Sequence, residues 1–548
     1  MKQIQTDFLI VGSGSGGMTA AITAHELGMN TIVVEKSPYY GGSSAMSGGA
    51  VWAPNNPVLK RNGITDSVED IVTYMKAITN NEVEESKIVM YAEQGQVLFE
   101  MLEKKSGFMK FSYCNGYSDY HPEAPKGRPE GRSIEADPFN LNELKEDKAL
   151  LHPTDIAVPK GVFLTGKEFN EMAMMMRTWK GFTRVMKLSV RTVGNLIRGK
   201  DTTALGLALM GRLRMVLKEN KIPLWLNSPL EELIYVDHKV VGAIVNKGGE
   251  KVQINASKGV LLAMGGFDHN KLLRKTYLPT IAQDVFSSGA IENLGDAVAI
   301  VEKLDAKLEL MDEAWWMPAV QLPNKTMFPL VSERAIPRSI IVGGDGKRFT
   351  NESSPYVTFV HDQIKAGWKT VWQILDKKAV NRYMYAGKPP GVPFSKLWYK
   401  EGIVFKANTI QELAEKINID ATSLGHTVAE FNEMVKKGKD ELFQRGDSAY
   451  DKYYGDPTLT NPVLDHLNKG PYYAVKLRIG DLGTKGGIKA NEYGQGLNTK
   501  GAVINGLYAT GNVAASVMGR DYAGAGGTIG PAMIFGYVAA KHANGWEK

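Results

Sequence analysis

The sequence predicts an α/β protein: a Rossmann-like nucleotide-binding domain assembled from both ends of the chain, with an α+β domain inserted between them. Three stretches carry that prediction. "TDFLIVGSGSGGMTAAITAHELGMNTIVVEK", from Thr6, is an apolar run, a G-x-G-x-x-G turn, a helical pattern and a second apolar run that ends in an acid. "GVLLAMGGF" (residues 259–267) and "INGLYATGNVAAS" (residues 504–516) are each an apolar strand closing in a turn of small residues. The last of these lies some 500 residues from the first, so a domain that uses both must release the chain and take it up again.

Each element of the first stretch has a physical reason. Residues 8–11 are the buried strand. Gly12 permits the tight turn, Gly14 lets the backbone approach a pyrophosphate, and Gly17 lets helix pack on strand. Ser15 and Gly16 open the helix, whose N-terminal N–H groups face the phosphates. Glu35 ends the second strand about 20 residues on, where a carboxylate binds a ribose hydroxyl pair, and Lys36 follows it. The next segment, "SPYYGGSSAMSGGAVWAPNN", is richer in backbone donors than an ordinary surface loop; Gly42, Ser43, Ser44, Ser47, Gly48, Gly49 and Ala50 are its candidate cofactor contacts. Leu230, Ala263, Gly265, Asp296, Gly511, Asn512, Thr528 and Ile529 complete the candidate set. Such a glycine–serine segment resembles the one that, in flavoproteins of the fumarate reductase type, runs along the pyrophosphate towards the isoalloxazine ring. That resemblance implies FAD. Residues 41–49 contain no histidine, the residue that covalent members of the group carry there, so the flavin is expected to be held noncovalently.

Residues 1–312 and 475–548 are expected to form the FAD domain, and residues 313–474 the catalytic domain. The inserted stretch has its own texture, with Trp315, Trp316, Trp368, Trp372 and Trp398, several prolines, and an amphipathic helix pattern within residues 410–437. At 548 residues the chain is too long for one core, and 43% hydrophobic with 23% charged residues is a globular composition. Cys114 is the only cysteine, which rules out an internal disulfide and argues against a metal or iron–sulfur site built on thiolates. No run reaches the roughly 18 apolar residues of a membrane span, and the N-terminal apolar run breaks into glycines where a signal peptide continues. A cytoplasmic location is expected, with no metal and no nucleic-acid partner.

Three tyrosines stand in unusual surroundings: Tyr120 in "NGYSDYHPE", Tyr356 in "RFTNESSPYVTF" and Tyr522 in "GRDYAGAGG". Together with "VVEKSPYYGGSSAMSGGAVW", "GRSIEADPF", "DLGTKGGI" and "GLYATGNVAASVMGRDYAGAGGTIGPAM", these make the sequence resemble the 3-ketosteroid Δ1-dehydrogenases over nearly its whole length. The resemblance implies roles. Tyr356, after N-E-S-x-P, is the base; Tyr120 supports it by hydrogen bonding; Tyr522 and the peptide N–H of Gly526, in Y-x-G-x-G, bind the C3 carbonyl. The reaction implied is FAD-dependent 1,2-dehydrogenation of 3-oxosteroids in steroid degradation, with a quinone or a carrier protein as reoxidant. Those residue types suit it, because a C2–H beside a carbonyl is weakly acidic and the developing enolate needs donors worth roughly 3 to 4 kcal/mol each. Two related flavoenzymes remain as rivals, a Δ4-(5α)-dehydrogenase, whose carbonyl-binding turn differs, and a fumarate reductase, which needs convergent arginines and a histidine. A third is a noncatalytic flavin-binding membrane module.

One segment fits neither domain. Residues 172–200 contain no carboxylate and seven bases: Arg177, Lys180, Arg184, Lys187, Arg191, Arg198 and Lys200. The formal charge of the chain is +6, so the rest of it sums to −1. Met175, Trp179, Phe182, Met186, Val190, Val193 and Ile197 recur at intervals of three and four beside the bases, which predicts a helix with one apolar and one basic stripe. An anionic membrane surface at the inner face of the cell membrane is the expected partner, with a solvated core helix or a subunit-docking face as alternatives.

Overall fold

The computed structural model describes residues 1–154, 161–284 and 287–548. Its first sheet has five parallel strands in the order Leu224–Trp225, Thr31–Val34, Lys2–Val11, Glu250–Leu262, Val503–Ala509. Lys239–Lys247 and Leu230–Val236 add an antiparallel hairpin, and Gln495–Leu497 pairs at the far edge. The strand from the C-terminal fifth of the chain thus lies directly beside Glu250–Leu262, as a domain assembled from both ends requires. Residues Phe8 to Ile10 are fully buried, because a strand covered on both faces is apolar throughout.

The helix Ser15–Glu26 crosses from the first strand to the second and packs against the C-terminal helix Ile529–Ala543. Glycines set that distance: a Cβ on Gly16 would meet the Ala532 carbonyl oxygen at 2.7 Å, and one on Gly536 would meet that of Gly16 at 2.4 Å.

The second sheet runs Met327–Pro329, Ala314–Gln321, Tyr472–Thr484, Thr370–Asp376, Ser339–Val342, with Val404–Ala407 also paired to Tyr472–Thr484. It is the sheet of the inserted domain. The expected return at residue 475 falls inside the strand Tyr472–Thr484, which stays paired in this sheet as far as Thr484.

The segment at 172–200 contains the expected helix, Trp179–Ile197, preceded by Gly166–Ala173. Both expected stripes are present, and the basic one is largely paired against the protein. Arg177 pairs with Asp456, Lys180 with Glu171, Arg184 with Glu168 and Glu171, and Arg191 with Glu168 while stacking on Phe163. Lys187, Arg198 and Lys200 are exposed. The apolar stripe points outward: Trp179 is 77% exposed, Val190 72% and Ile197 80%, with Met176, Phe182, Met186 and Val193 about half or more exposed. Burying a charge without a partner costs more than exposing a methyl group, so the carboxylates at residues 168, 171 and 456 decide which stripe faces in. Among the described residues no helix is long and apolar enough to cross a membrane.

Candidate active site

The three tyrosines named from the sequence meet beside Trp315 of the second sheet. Tyr356 opens the helix Tyr356–Lys365, held by Pro355 at the N-cap position, where a proline's fixed φ suits a helix entry. Tyr120 comes from the loop before the strand Ser133–Ala136, and Tyr522 from the glycine turn before the C-terminal helix. All three are buried. Their ring centroids form a triangle: 5.3 Å between Tyr120 and Tyr356, 5.1 Å between Tyr120 and Tyr522, and 5.4 Å between Tyr356 and Tyr522. The Tyr120 hydroxyl donates to the Tyr356 oxygen at 3.1 Å.

Gly526 sits at φ +90°, and a Cβ there would lie 2.2 Å from the Ala50 carbonyl oxygen. The turn is therefore pressed onto the strand Ala50–Trp52, which only glycine permits. The Tyr522 and Thr528 hydroxyls are 3.0 Å apart. Burial raises the pKa of the Tyr522 phenol, while hydrogen bonds from Thr528, Tyr356 and the peptide N–H of Gly526 pull it down. The Gly526 peptide N–H and the Tyr522 hydroxyl thus lie next to each other.

Burial also pushes Tyr356 well above the ordinary phenol range, the neighbouring phenols Tyr522, Tyr117 and Tyr450 add to that, and the hydrogen bond from Tyr120 works against it. Stabilising a Tyr356 anion therefore depends on Tyr120. Behind Tyr120 the hydroxyls continue: Tyr117 lies 3.3 Å from Tyr120, and Tyr454 donates to Tyr117 at 2.8 Å. Tyr117 and Tyr454 are partly exposed, so a row of four phenols runs from buried Tyr356 to Tyr454. Neither was legible as functional from the sequence; the Tyr117–Tyr120 spacing of three residues was the only available signal.

The candidate cofactor residues fall mostly at turns and helix starts. Gly12 has φ +108°, and a Cβ there would overlap the Ala263 carbonyl at 2.2 Å, so the first turn rests on the turn after Glu250–Leu262. Gly14 caps the first helix, and Gly17 meets the Gly12 carbonyl. Glu35 accepts from the Ser13 N–H and hydroxyl and from the Ser37 N–H, and retains acceptor capacity for a diol. Lys36 pairs with Asp296. Ser15 and Ser44 are hydrogen-bonded to each other, Ser43 accepts from the Ala290 N–H and the Asn293 amide, and Ser47 bonds within its own turn. Gly42 and Gly49 are left-handed, and Gly48 and Ala50 continue the segment into the strand beneath Gly526. Gly265 packs on Asn293, Gly511 opens the turn where Asn512 accepts from the Trp315 indole, and Thr528 and Ile529 begin the last helix. Leu230 is a buried residue at the start of its strand. A bare-backbone turn, a helix N-terminus and a carboxylate at the end of the second strand are the donor and acceptor set that a dinucleotide needs.

Residues 7–529 match the family model described as FAD binding domain. The chain is 43% identical over 552 residues to a 3-oxosteroid 1-dehydrogenase of Mycobacterium tuberculosis, covering 98% of both chains. It is 32% identical to a 4-oxocyclohex-2-ene-1-carboxylate 5-dehydrogenase of Sinomonas cyclohexanicum, covering 98% of this chain and 94% of the relative. Among solved structures, 3-ketosteroid Δ1-dehydrogenase from Sterolibacterium denitrificans, in complex with 1,4-androstadiene-3,17-dione, superposes with a TM-score of 0.93 at 36% identity, covering 98% of this chain and 99% of that one. The chain belongs to the FAD-binding flavoenzyme family that contains these dehydrogenases.

Proposed function

We propose that this flavoenzyme removes the C1 and C2 hydrogens of a 3-oxosteroid, converting 3-oxo-4-ene steroids to 1,4-dienes. The observation that carries this reading is the triangle of buried phenols in which Tyr120 donates to Tyr356. Tyr522 and the Gly526 N–H hold the C3 oxygen and stabilise the negative charge that develops there. Tyr356 takes the C2 proton, the C2–H electron pair moves into the enolate, and collapse of the enolate forms the C1–C2 double bond as hydride leaves C1. Bound FAD supplies the acceptor for that hydride. Tyr120 steadies the Tyr356 anion, and Tyr117 and Tyr454 offer its proton a path outward.

The outward apolar stripe on Trp179–Ile197 docks on lipid at the inner face of the membrane. Two observations support this reading. The stripe is continuous over 19 residues of helix, and the exposed cations Lys187, Arg198 and Lys200 accompany it, so apolar insertion and anionic headgroups act together. Asn170 and Arg177 tie the segment to Tyr453 and Asp456, beside Tyr454, which sets the docked surface close to the phenol cluster. A steroid dissolved in lipid then has a short path to the site, and a lipid-soluble quinone or a carrier protein reoxidises the flavin.

The test is anaerobic mixing of the purified yellow protein with a 3-oxo-4-ene steroid. Bleaching of the flavin with formation of the 1,4-diene is expected. Absence of bleaching with steroids, or bleaching only by 4-oxocyclohexene carboxylates, overturns the assignment.

A further inference from the structure

The catalytic residues come from segments hundreds of positions apart, yet Tyr120 and Tyr522 stack at 5.1 Å with 24° between their rings. Three contacts fix that spacing. The Tyr120 N–H donates to the Ala523 carbonyl at 3.1 Å, and the buried Tyr74 hydroxyl donates to the same carbonyl at 2.7 Å. The third is a side-chain pair between the next residue of each segment: the His121 Nε2 lies 2.9 Å from Asp521 Oδ1. That same oxygen accepts the peptide N–H of Tyr522 at 2.7 Å. One carboxylate oxygen therefore grips the backbone of Tyr522 and the side chain beside Tyr120 at once.

We propose that the His121–Asp521 pair is the positioning element that holds the Tyr356–Tyr120 base and the Tyr522 donor in register. This rests on the dehydrogenation reading above. His121 touches no reacting atom, so it acts only through its neighbours. The opposite flank of Tyr120 is already rigid: Asp119 accepts from the Trp52 indole at 2.9 Å and pairs with fully buried Arg132, which is held in turn by Asp66. The His121 flank is the one that bridges the two halves of the site.

The pair is charged under ordinary conditions. Burial works against the His121 imidazolium, but the carboxylates of Asp521 and Glu123 outweigh it and hold its pKa up at about 10. Burial likewise opposes the Asp521 carboxylate, and His121, the Tyr522 N–H and Lys485 bring its pKa below the usual range. The other groups facing the pair are the Glu123 carboxylate 3.7 Å from Nδ1, the Tyr74 hydroxyl at the His121 N–H, and the buried Lys485 ammonium on the Asp521 carbonyl.

The experiment compares holoenzymes of His121→Leu and His121→Gln, with turnover expressed per bound flavin. Leucine fills the space without a donor, and glutamine retains one. His121→Leu is expected to lose roughly 10- to 100-fold in kcat, the scale of a slightly misplaced catalytic group, with KM changed less than about threefold. His121→Gln is expected to recover most of that loss. If His121→Leu does not accumulate as holoprotein, Asp521→Asn is measured instead; it keeps an oxygen for the Tyr522 N–H, removes the charge, and is expected to lose at least about threefold in kcat. The proposal is overturned by wild-type kcat in whichever variant is read, by a lowered melting temperature with kcat intact, or by glutamine performing no better than leucine. Failure of wild-type protein to bleach with any 3-oxosteroid would refute the functional reading instead.

Discussion

Replacing Val190 and Ile197 together by glutamate is expected to release the protein from lipid vesicles without disturbing its fold. The two side chains are 72% and 80% exposed, so neither is part of the core. Fully burying an aliphatic side chain is worth about 1.5 to 3 kcal/mol. Moving these two exposed side chains into an interface should therefore contribute about 3 kcal/mol in total, and losing that weakens partitioning by about 100-fold. The contrasting variant exchanges Arg177, Arg184 and Arg191 for glutamine. Those guanidinium groups are bound to Asp456, Glu168 and Glu171, so their removal should lower the melting temperature and change vesicle binding by less than about threefold. Co-sedimentation with vesicles containing anionic lipid, at low and high salt, measures both. Screening suppresses exposed-charge attraction but not apolar insertion, so much of the binding should survive high salt. The reasoning fails if the double glutamate variant still sediments like wild type, or if only the glutamine variant is released. It also fails if the stripe proves to join two copies of the chain in sedimentation velocity while vesicles bind neither form.

Four further outcomes follow from the site. Tyr356→Phe should cut turnover by at least roughly 10²-fold, a low value for loss of a general base, with FAD retained by absorbance; a holo variant of normal turnover refutes the base assignment. Tyr522→Phe should lower kcat more than it raises the steroid Kd, because its donor acts mainly on developing charge, and a loss confined to binding would reduce Tyr522 to an anchor. The rate of anaerobic bleaching should rise with pH, because burial holds the Tyr356 proton on. Tyr120→Phe, which removes the one contact opposing that rise by hydrogen bonding, should move the curve to higher pH; a curve that stays in place dissociates Tyr120 from the base. Finally, His121 binds its proton up to about pH 10 in the fold against 6.5 ordinarily, so its stabilisation is complete below 6.5 and lost on the way to 10. Buried Lys485, brought down from 10.5 to about 8, has the opposite sign above pH 8, which leaves pH 6.5 to 8 as the clean window. There the melting-temperature advantage of wild type over His121→Gln should shrink as pH rises, and an advantage that grows contradicts the pairing.

The glycine turn at Gly12–Gly17 was legible in the sequence because local sterics impose it. Gly12 must turn at positive φ against Ala263, and Gly17 must leave room for the Gly12 carbonyl; no other residue type satisfies either condition, so the spacing survives in the one-dimensional text. That Tyr120, Tyr356 and Tyr522 belong together was legible only by resemblance. Nothing local to Tyr120, Tyr356 or Tyr522 says that their rings meet, since each comes from a different, distant segment of the chain. Partners distant in sequence account for everything missed. His121 and Asp521 stand 400 positions apart, and Tyr454 reaches Tyr117 across 337.

The helix Trp179–Ile197 is the sharpest case. Its periodicity states that two stripes exist but not which of them turns inward, because that depends on charges outside the periodic stretch. Glu168 and Glu171 lie just before it, and Asp456 lies 279 positions beyond Arg177. Once those carboxylates are in place, turning the basic stripe outward would strand Asp456 and Glu168, which are buried, as unpaired anions. The ion pairs thereby force an apolar surface into contact with the surroundings. Contiguous exposed apolar patches mark interaction surfaces, and a lipid-borne substrate would give this one a use. On the lipid-docking proposal, the same salt bridges that look like ordinary surface stabilisation would set the side from which a membrane-dissolved steroid arrives.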